Sequence, residues 1–433
     1  MLTSVIIAAA TCALMIASIL FFPEIPLGKR KIGTYWIIVL LGAVLMLATS
    51  QVPLSSLAAA FTDSSAVNPV KILVLFLSMT LISIFLDEVG FFRYLASRAL
   101  RFAGGNQKKM FLVLYATVSF LTVFTSNDII VLTFTPFLCY FAKNAHIDPK
   151  PYLVAEFVAA NTMSMMLMIG NPTNIYIATA YRIGFGEYFL VMALPTLASA
   201  LLSLGILWLL FHKKLSAPIS AEPEEVRLED KPLLIVGVSV LAVCTLFLIV
   251  GPYIGIEMWL VSLCALLLLL LTVTVIGITR KRLPREIGST LKRAPWQLVP
   301  FVLSMFVLIL GLAEQGVTDK IGAALGSVAP IWTYGGLSYL AANLINNIPM
   351  SVLFCPILSG LPEGARLAGA YATIVGSNLG ALLTPIGALA GIMWIALLKR
   401  QGVEMRYREF VLYGVAVSLP SLALNLALLS WIL

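Results

Sequence analysis

Of 433 residues, 60% are hydrophobic and 11% charged, with a mean hydropathy of +1.01. Soluble domains carry roughly 25% charged residues, so this composition excludes a soluble chain and points to a polytopic membrane protein. The net charge of +8 does not indicate a nucleic-acid partner, because no basic face interleaved with base-stacking aromatics accompanies it. Cys12, Cys139, Cys244, Cys264 and Cys355 sit in apolar segments without a close pair and read as buried small residues. His146 and His212, in loop-like surroundings, offer no metal site, and no constellation of His, Cys and acid suggests an enzyme.

In chain order, Thr3–Phe22 is long enough to span a bilayer, which takes roughly 20 residues. No Lys or Arg precedes it and no small-residue cleavage site follows, so a retained helix is expected rather than a signal peptide. Gly33–Ser50 and Pro69–Leu86 are the next spans. Phe91–Ala103 carries Arg93, Arg98 and Arg101 among apolar residues, as a helix lying on a membrane surface does. Lys109–Ala142 contains the polar interruption Thr125-Ser126-Asn127-Asp128. Pro151–Ile169 is a span broken at Gly170-Asn171-Pro172-Thr173-Asn174, and Gly186–Leu210 closes the first half. The polar stretch Lys213–Lys231 reads as a solvated linker. Leu233–Val250 and Met258–Ile278 are spans, followed by a basic loop, Arg280–Arg293, and a further span, Pro295–Leu312. Thr333–Leu358 contains Asn346-Asn347-Ile348-Pro349. Leu367–Leu398 is interrupted at Gly376-Ser377-Asn378 and Thr384–Gly387, and Phe410–Leu433 ends the chain.

The second half repeats the first. Placing Pro136 on Pro356 puts Asn127 on Asn347 and Ser126 on Asn346; Pro69–Met79 matches Pro295–Met305, and Asn161 falls on Asn378. Each polar interruption reads as a re-entrant hairpin, entering and leaving on one side. Five spans per half then remain, and an odd number inverts one half against the other. Under that topology all but Lys71, Arg182, Lys320 and Arg366 of the 28 basic side chains fall on one side. Positive charge stays cytoplasmic, so both termini are expected outside. The expected fold is therefore an all-α polytopic membrane protein of two inverted repeats, 1–212 and 232–433, joined by a cytoplasmic linker, 213–231. Each repeat holds five transmembrane helices, a hairpin (109–142, 329–358) and a broken helix at the midplane (151–180, 367–398).

Backbone that leaves the helix at membrane depth must line a cavity or be buried in protein, and one such break per half is the best sequence pointer to a transporter's binding site. Candidate substrate or ion ligands are Thr125, Ser126, Asn127, Asp128, Asn161, Asn171, Thr173 and Asn174 in the first half. Asn346, Asn347, Ser377, Asn378 and Thr384 are their counterparts in the second. The bland reading is glue between helices, which two symmetric clusters beside Gly and Pro make less apt than a site. Asp128, a carboxyl inside an apolar hairpin, is functional by default, as a proton carrier in coupling. The other reading is an N-cap for the helix that follows. Glu156 is a second candidate for proton coupling. Asp87 and Glu88, at the end of a span, suit caps or salt-bridge partners. Met163, Met165, Met166 and Met168 suit packing better than soft-metal binding.

Several of these stretches together resemble the arsenite/antimonite efflux permease family (ArsB-like) of the ion transporter superfamily. They are Leu86–Phe92 (LDEVGFF), Asn127-Asp128 followed by Leu132-Thr133 and Pro136, Arg293–Gln297 (RAPWQ), Asn346–Pro349 (NNIP), and Leu379-Gly380 with Thr384–Gly387 (TPIG). The resemblance runs from about Leu86 to Trp394. It implies an inverted-repeat fold and extrusion of As(OH)₃ or Sb(OH)₃ across the inner membrane by proton antiport, with a cytosolic ATPase partner in some members. Its site residues map to Thr125–Asp128, Asn161–Asn174, Asn346-Asn347 and Gly376–Gly387. The chain departs from that family at Asn161 and Asn378, where Asp is usual. Its Gly170–Asn174 loop is similar to the carboxylate branch. Those departures leave Asp128, with Glu156, to carry the proton, or point to Na⁺. The expected function is proton-coupled arsenite/antimonite export without a bound cofactor; the alternative is a Na⁺- or H⁺-coupled carrier of an anion or dicarboxylate.

Overall fold

The computed structural model describes residues 1–22, 24–27, 30–62, 68–216, 228, 230–282 and 284–433. Among these residues the regular structure is helical apart from one short ribbon. Helix α1 (Leu2–Phe21) leads through an antiparallel pair, β1 (Glu24–Leu27) and β2 (Arg30–Gly33), into α2 (Tyr35–Ala48). There follow α3 (Leu54–Thr62), α4 (Pro69–Glu88), α5 (Phe91–Ala103), α6 (Gln107–Phe124), α7 (Asn127–Asn144), α8 (Lys150–Met163), α9 (Pro172–Ala180) and α10 (Phe185–Phe211). The second half supplies α11 (Lys231–Val250), α12 (Met258–Thr279), α13 (Arg285–Arg293), α14 (Leu298–Glu314), α15 (Val317–Leu325), α16 (Pro330–Ile345), α17 (Asn347–Ser359), α18 (Glu363–Gly380), α19 (Leu389–Arg400) and α20 (Tyr407–Ile432). Among the described residues seven helices are long and apolar enough to cross a membrane.

From α4 to α10 and from α14 to α20 the elements recur in one order: a long helix, a short one, two helices divided at a polar break, then a helix interrupted by a 3-10 turn. The halves also exchange partners. α2 packs on α14 while α12 packs on α4, and α7 packs on α19 while α17 packs on α9. Phe157 of α8 stacks on Trp394 of α19 at 4.7 Å between ring centroids, and Phe410 of α20 lies edge-on to both. Among the described residues four ion pairs join the halves. Arg293 bonds Asp87 at 2.6 Å and Glu88 at 2.5 Å, Lys71 bonds Glu257 at 2.6 Å, and Lys150 bonds Glu409 at 2.9 Å. Asp87 and Glu88 are thus salt-bridge partners of a residue some 200 positions away.

The breaks have local causes. In the first half Thr125 and Ser126 are both extended, at φ −130° and −112°. In the second, Asn346 takes φ +71° with ψ 152°, a strained backbone conformation outside the left-handed helical region. Pro136 and Pro356 lie within α7 and α17, where each removes a backbone donor. After the 3-10 turn Met168–Gly170, the Asn171 side chain accepts from Thr173 N–H at 3.2 Å and Pro172 opens α9, a cap and a first-turn proline restarting the helix together.

Some sequence expectations need correction. The basic loop Arg280–Arg293 contains a helix, α13, supported by an Arg282–Glu286 pair one turn apart. In the span Gly33–Ser50 the helix starts at Tyr35, because Arg30–Gly33 is tied up as a ribbon strand. The linker Lys213–Lys231 lies largely outside the described residues, at 217–227 and 229. Its final residues are not simply solvated: Asp230 caps α11 by accepting from Leu233 N–H and pairs with Arg280 at 2.6 Å.

Candidate functional site

Helix α7 begins against a cavity of about 590 Å³, whose lining includes Ser126, Asp128, Tyr35, Thr80 and Gln297. Arg293, Lys399 and Arg400 line it as well. Asp128 is partly exposed to this space and forms no ion pair among the described residues. It is not the N-cap. Ser126 holds that position, and Asp128 is the second residue of the helix, in the first turn, where the free N–H groups favour a negative charge. The cap is incomplete, because the Ser126 side chain bonds none of the first-turn N–H groups and its Oγ is buried without a partner. At the same place in the second half the cap is closed: Asn346 Oδ1 accepts from Ile348 N–H at 3.4 Å, and Asn346 Nδ2 donates to the Ile386 carbonyl at 2.9 Å. The α7 terminus is the one left with hydrogen-bonding capacity.

Behind it the amides form two linked sets. Asn127 Nδ2 donates to Asn161 Oδ1 at 3.0 Å, and Asn161 Nδ2 donates to the Phe157 carbonyl. Asn127 Oδ1 is left buried and unpaired. In the other set Asn378, carried by α18, crosses to the first half. Its Oδ1 accepts from Ser164 Oγ at 3.0 Å and Asn171 Nδ2 at 2.9 Å, and its Nδ2 donates to Asn174 Oδ1 at 2.6 Å. Asn174 Nδ2 in turn donates to the Ser164 carbonyl, and Thr173 Oγ1 makes a long contact to Asn174 Oδ1. The broken helices of both halves therefore meet through neutral amides, each fully buried.

Other candidates are differently engaged. The Thr125 hydroxyl donates to the Leu121 carbonyl and the Thr384 hydroxyl to Asn343 Oδ1. Ser377 Oγ is buried without a partner, and Asn347 opens α17, its carbonyl accepting from Ser351 Oγ. Glu156 is fully buried between α7 and α8. Both its carboxyl oxygens accept from Thr135 Oγ1, at 2.9 and 3.0 Å, and it does not line the Asp128 cavity. Met163, Met165, Met166 and Met168 are packed in the core. Among the described residues no group of His, Cys, Asp and Glu could hold a metal ion.

Two residues escaped sequence reasoning. Ser164 stands among the methionines and reads as a small packing residue, yet it supplies a hydroxyl to Asn378. Asn343 sits in α16, one turn before the break, and bonds the Tyr339 and Gly380 carbonyls and Thr384. A lone amide in an apolar helix four residues ahead of Asn347 was the signal available.

The chain is similar to known membrane transporters. The family described as "Citrate transporter" matches residues 31–376. The arsenical pump membrane protein of Yersinia enterocolitica is 26% identical over 82% of this chain and 85% of its own length; that of Escherichia coli is 27% identical over the same shares. A putative arsenical pump membrane protein of Bacillus subtilis is 25% identical over 86% and 88%. Among solved structures the chain is similar in fold to the YdaH transporter of Alcanivorax borkumensis, with a TM-score of 0.56 at 16% identity, covering 100% and 98% of the two chains.

Proposed function

We propose that this chain, which belongs to the citrate transporter family of membrane transporters, exports arsenite and antimonite as neutral trihydroxides in exchange for protons. The observation that carries this reading is the character of the site. One unpaired carboxyl, Asp128, borders a cavity at an incompletely capped helix start, backed by amides and hydroxyls. A trihydroxide is neutral and offers three O–H donors with oxygen lone pairs. The Asp128 carboxylate, Asn127 Oδ1 and Ser126 Oγ can accept from it, and the free N–H groups of α7 can donate to it. The relatives named as arsenical pumps support the same cargo.

In this reading cargo and proton compete for Asp128. Deprotonated, the carboxyl binds the O–H groups of the cargo from the cytoplasmic side. Protonation from outside removes that acceptor and releases the cargo outward. The neutral carboxyl then returns the proton inward. Glu156, away from the cavity and held by Thr135, serves as a second protonation site that tunes the packing of α7 on α8. The inverted arrangement of the halves, the outward termini and the inner-membrane location belong to the same proposal. The basic loops favour them.

A second reading, a Na⁺- or H⁺-coupled dicarboxylate carrier, draws on Arg293, Lys399 and Arg400 at the cavity wall. Against it, Asp128 would repel a dianion at the point of contact. The deciding experiment is rescue of arsenite sensitivity in an efflux-deficient host, alongside succinate or citrate uptake into proteoliposomes. Rescue without carboxylate uptake supports export of the trihydroxide; carboxylate uptake without rescue overturns it.

A further inference from the structure

Three cavities follow one another along α4, and they share walls. The Asp128 cavity takes Phe76, Thr80 and Ile84 from this helix, with Leu298 from α14. A small gap of about 20 Å³ comes next and shares Phe76 and Leu298 with it; Ile72 and Val302 also line this gap. A third cavity, of about 280 Å³, shares Ile72 with the gap and takes Lys71 and Leu75 from α4 and Thr179 from α9. Glu257, which precedes α12, and Trp259, in its first turn, line it too. At about 1.5 Å of rise per residue, the 20 residues of α4 measure roughly 30 Å, the thickness of a bilayer core. From Lys71 to Ile84 the three cavities flank about 20 Å of this helix, much of that thickness.

The narrow point is symmetric. In the register that places Pro69 on Pro295, Ile72 falls on Leu298 and Phe76 on Val302. All four residues line the 20 Å³ gap. The third cavity is polar where it needs to be. The Thr179 hydroxyl is buried without a partner, and Lys71 bridges to Glu257 at 2.6 Å with Trp259 Nε1 donating to the same carboxylate at 2.9 Å. The pair joins the start of α4 to the start of α12, one from each half.

We infer that α4 lines the transport path, and that the third cavity is a second cargo vestibule on the side away from Arg293, Lys399 and Arg400. Ile72, Phe76, Leu298 and Val302 form the apolar gate between the two vestibules. The Lys71–Glu257 bridge, half exposed at Glu257, narrows the entry to the second one, and the Thr179 hydroxyl offers a hydrogen bond to a hydroxylated cargo passing it. The class of cargo and the assignment of outer and cytoplasmic faces rest on the function proposed above; the path and the gate do not.

The path is therefore tested without cargo. In full-length protein with the five native cysteines replaced, single cysteines are placed at Thr179 and Leu75 in the second vestibule and at Ile392 and Thr80 in the first. Each is challenged with a charged, membrane-impermeant thiol reagent in right-side-out and inverted vesicles. The expected result is labelling of Thr179→Cys and Leu75→Cys from the outer face only, and of Ile392→Cys and Thr80→Cys from the cytoplasmic face only. Adding Lys71→Met should speed the outer labelling about tenfold or more. Labelling of both sets from one face, or an outer set that Lys71→Met leaves unreactive, overturns the path. Phe76→Trp should cut flux of the transported compound at least about tenfold while leaving both labelling patterns in place; full flux with Trp in the gap overturns the gate. Failure of arsenite rescue with the sided labelling intact would reject the cargo and keep the path.

Discussion

Asn378 donates to Asn174 across the two halves at 2.6 Å, from a helix that begins with Glu363 to one that begins with Pro172. With Ser164 and Asn171 bonded to its oxygen, one amide satisfies partners on two sides of a break in the other half. Asn378→Ala should leave Asn171 Nδ2 unpaired and Asn174 Oδ1 with only its long contact to Thr173 Oγ1, while Ser164 Oγ keeps the Asn161 carbonyl, at about 1–3 kcal/mol for each orphaned group. The check is the melting temperature of the purified protein in detergent, expected to fall by several degrees. An unchanged melting temperature would mean that the pocket refills with water at no loss.

Asp128→Asn keeps the size of the side chain and removes the charge at the cavity wall. Proton-coupled flux should disappear while expression, monodispersity and melting temperature stay near those of the parent. Parental flux from this variant would exclude the carboxyl from coupling.

Asn127 and Asn347 occupy the same position, first in their helices after the break, but only Asn127 has an unpaired buried oxygen. Asn127→Ala and Asn347→Ala are both expected to raise the apparent KM for arsenite in inverted vesicles. An effect confined to Asn127 would place binding at one helix start rather than between two.

The Lys71 hydrogen bond holds the Glu257 carboxyl below its ordinary value of 4.5. A depressed carboxylate contributes to the closed bridge above its unfolded value, and the contribution is lost as pH falls through the lower, folded one. Labelling of Thr179→Cys from outside, taken relative to a free thiol at the same pH because the thiolate is the reacting species, should therefore stay slow at neutral pH and accelerate only as pH falls below the ordinary carboxylate value. A rate flat across that range would show that the bridge does not control access.

Trp394 is 1% exposed and stacks on Phe157 across the halves. Trp394→Ala should destabilise the protein by about 3–5 kcal/mol through the cavity it leaves, measured by thermal or chemical unfolding in micelles. A loss under about 1 kcal/mol would show that α19 and α8 repack independently of this ring.

Much of the architecture was legible from residues alone. Polar clusters inside apolar runs mark where helices stop: Thr125-Ser126 and Asn346 are the interruptions, and Gly170 with Pro172 ends one helix and starts another. Hydrocarbon tolerates neither unpaired backbone nor bare amides, so such clusters cannot be incidental. Ser164 and Asn343 were not legible, because a serine or a single amide in a helix gains its meaning from what lies across from it.

The sequence by itself determined that the chain lives in a membrane, that it is helical and duplicated in wording, and most of the places where its helices break, since hydropathy and backbone hydrogen bonding are local demands. It misplaced two, because α18 runs unbroken through the expected interruption Gly376-Ser377-Asn378 to Gly380 and α8 ends at Met163 rather than Ile169. Only the tertiary structure decided that Asn378 reaches Asn171 and Asn174, that Asp128 rather than Glu156 faces a cavity, and that Arg293 is spent on Asp87 and Glu88. Those facts depend on which helix of one half packs against which helix of the other, and no local rule of spacing or propensity carries that information.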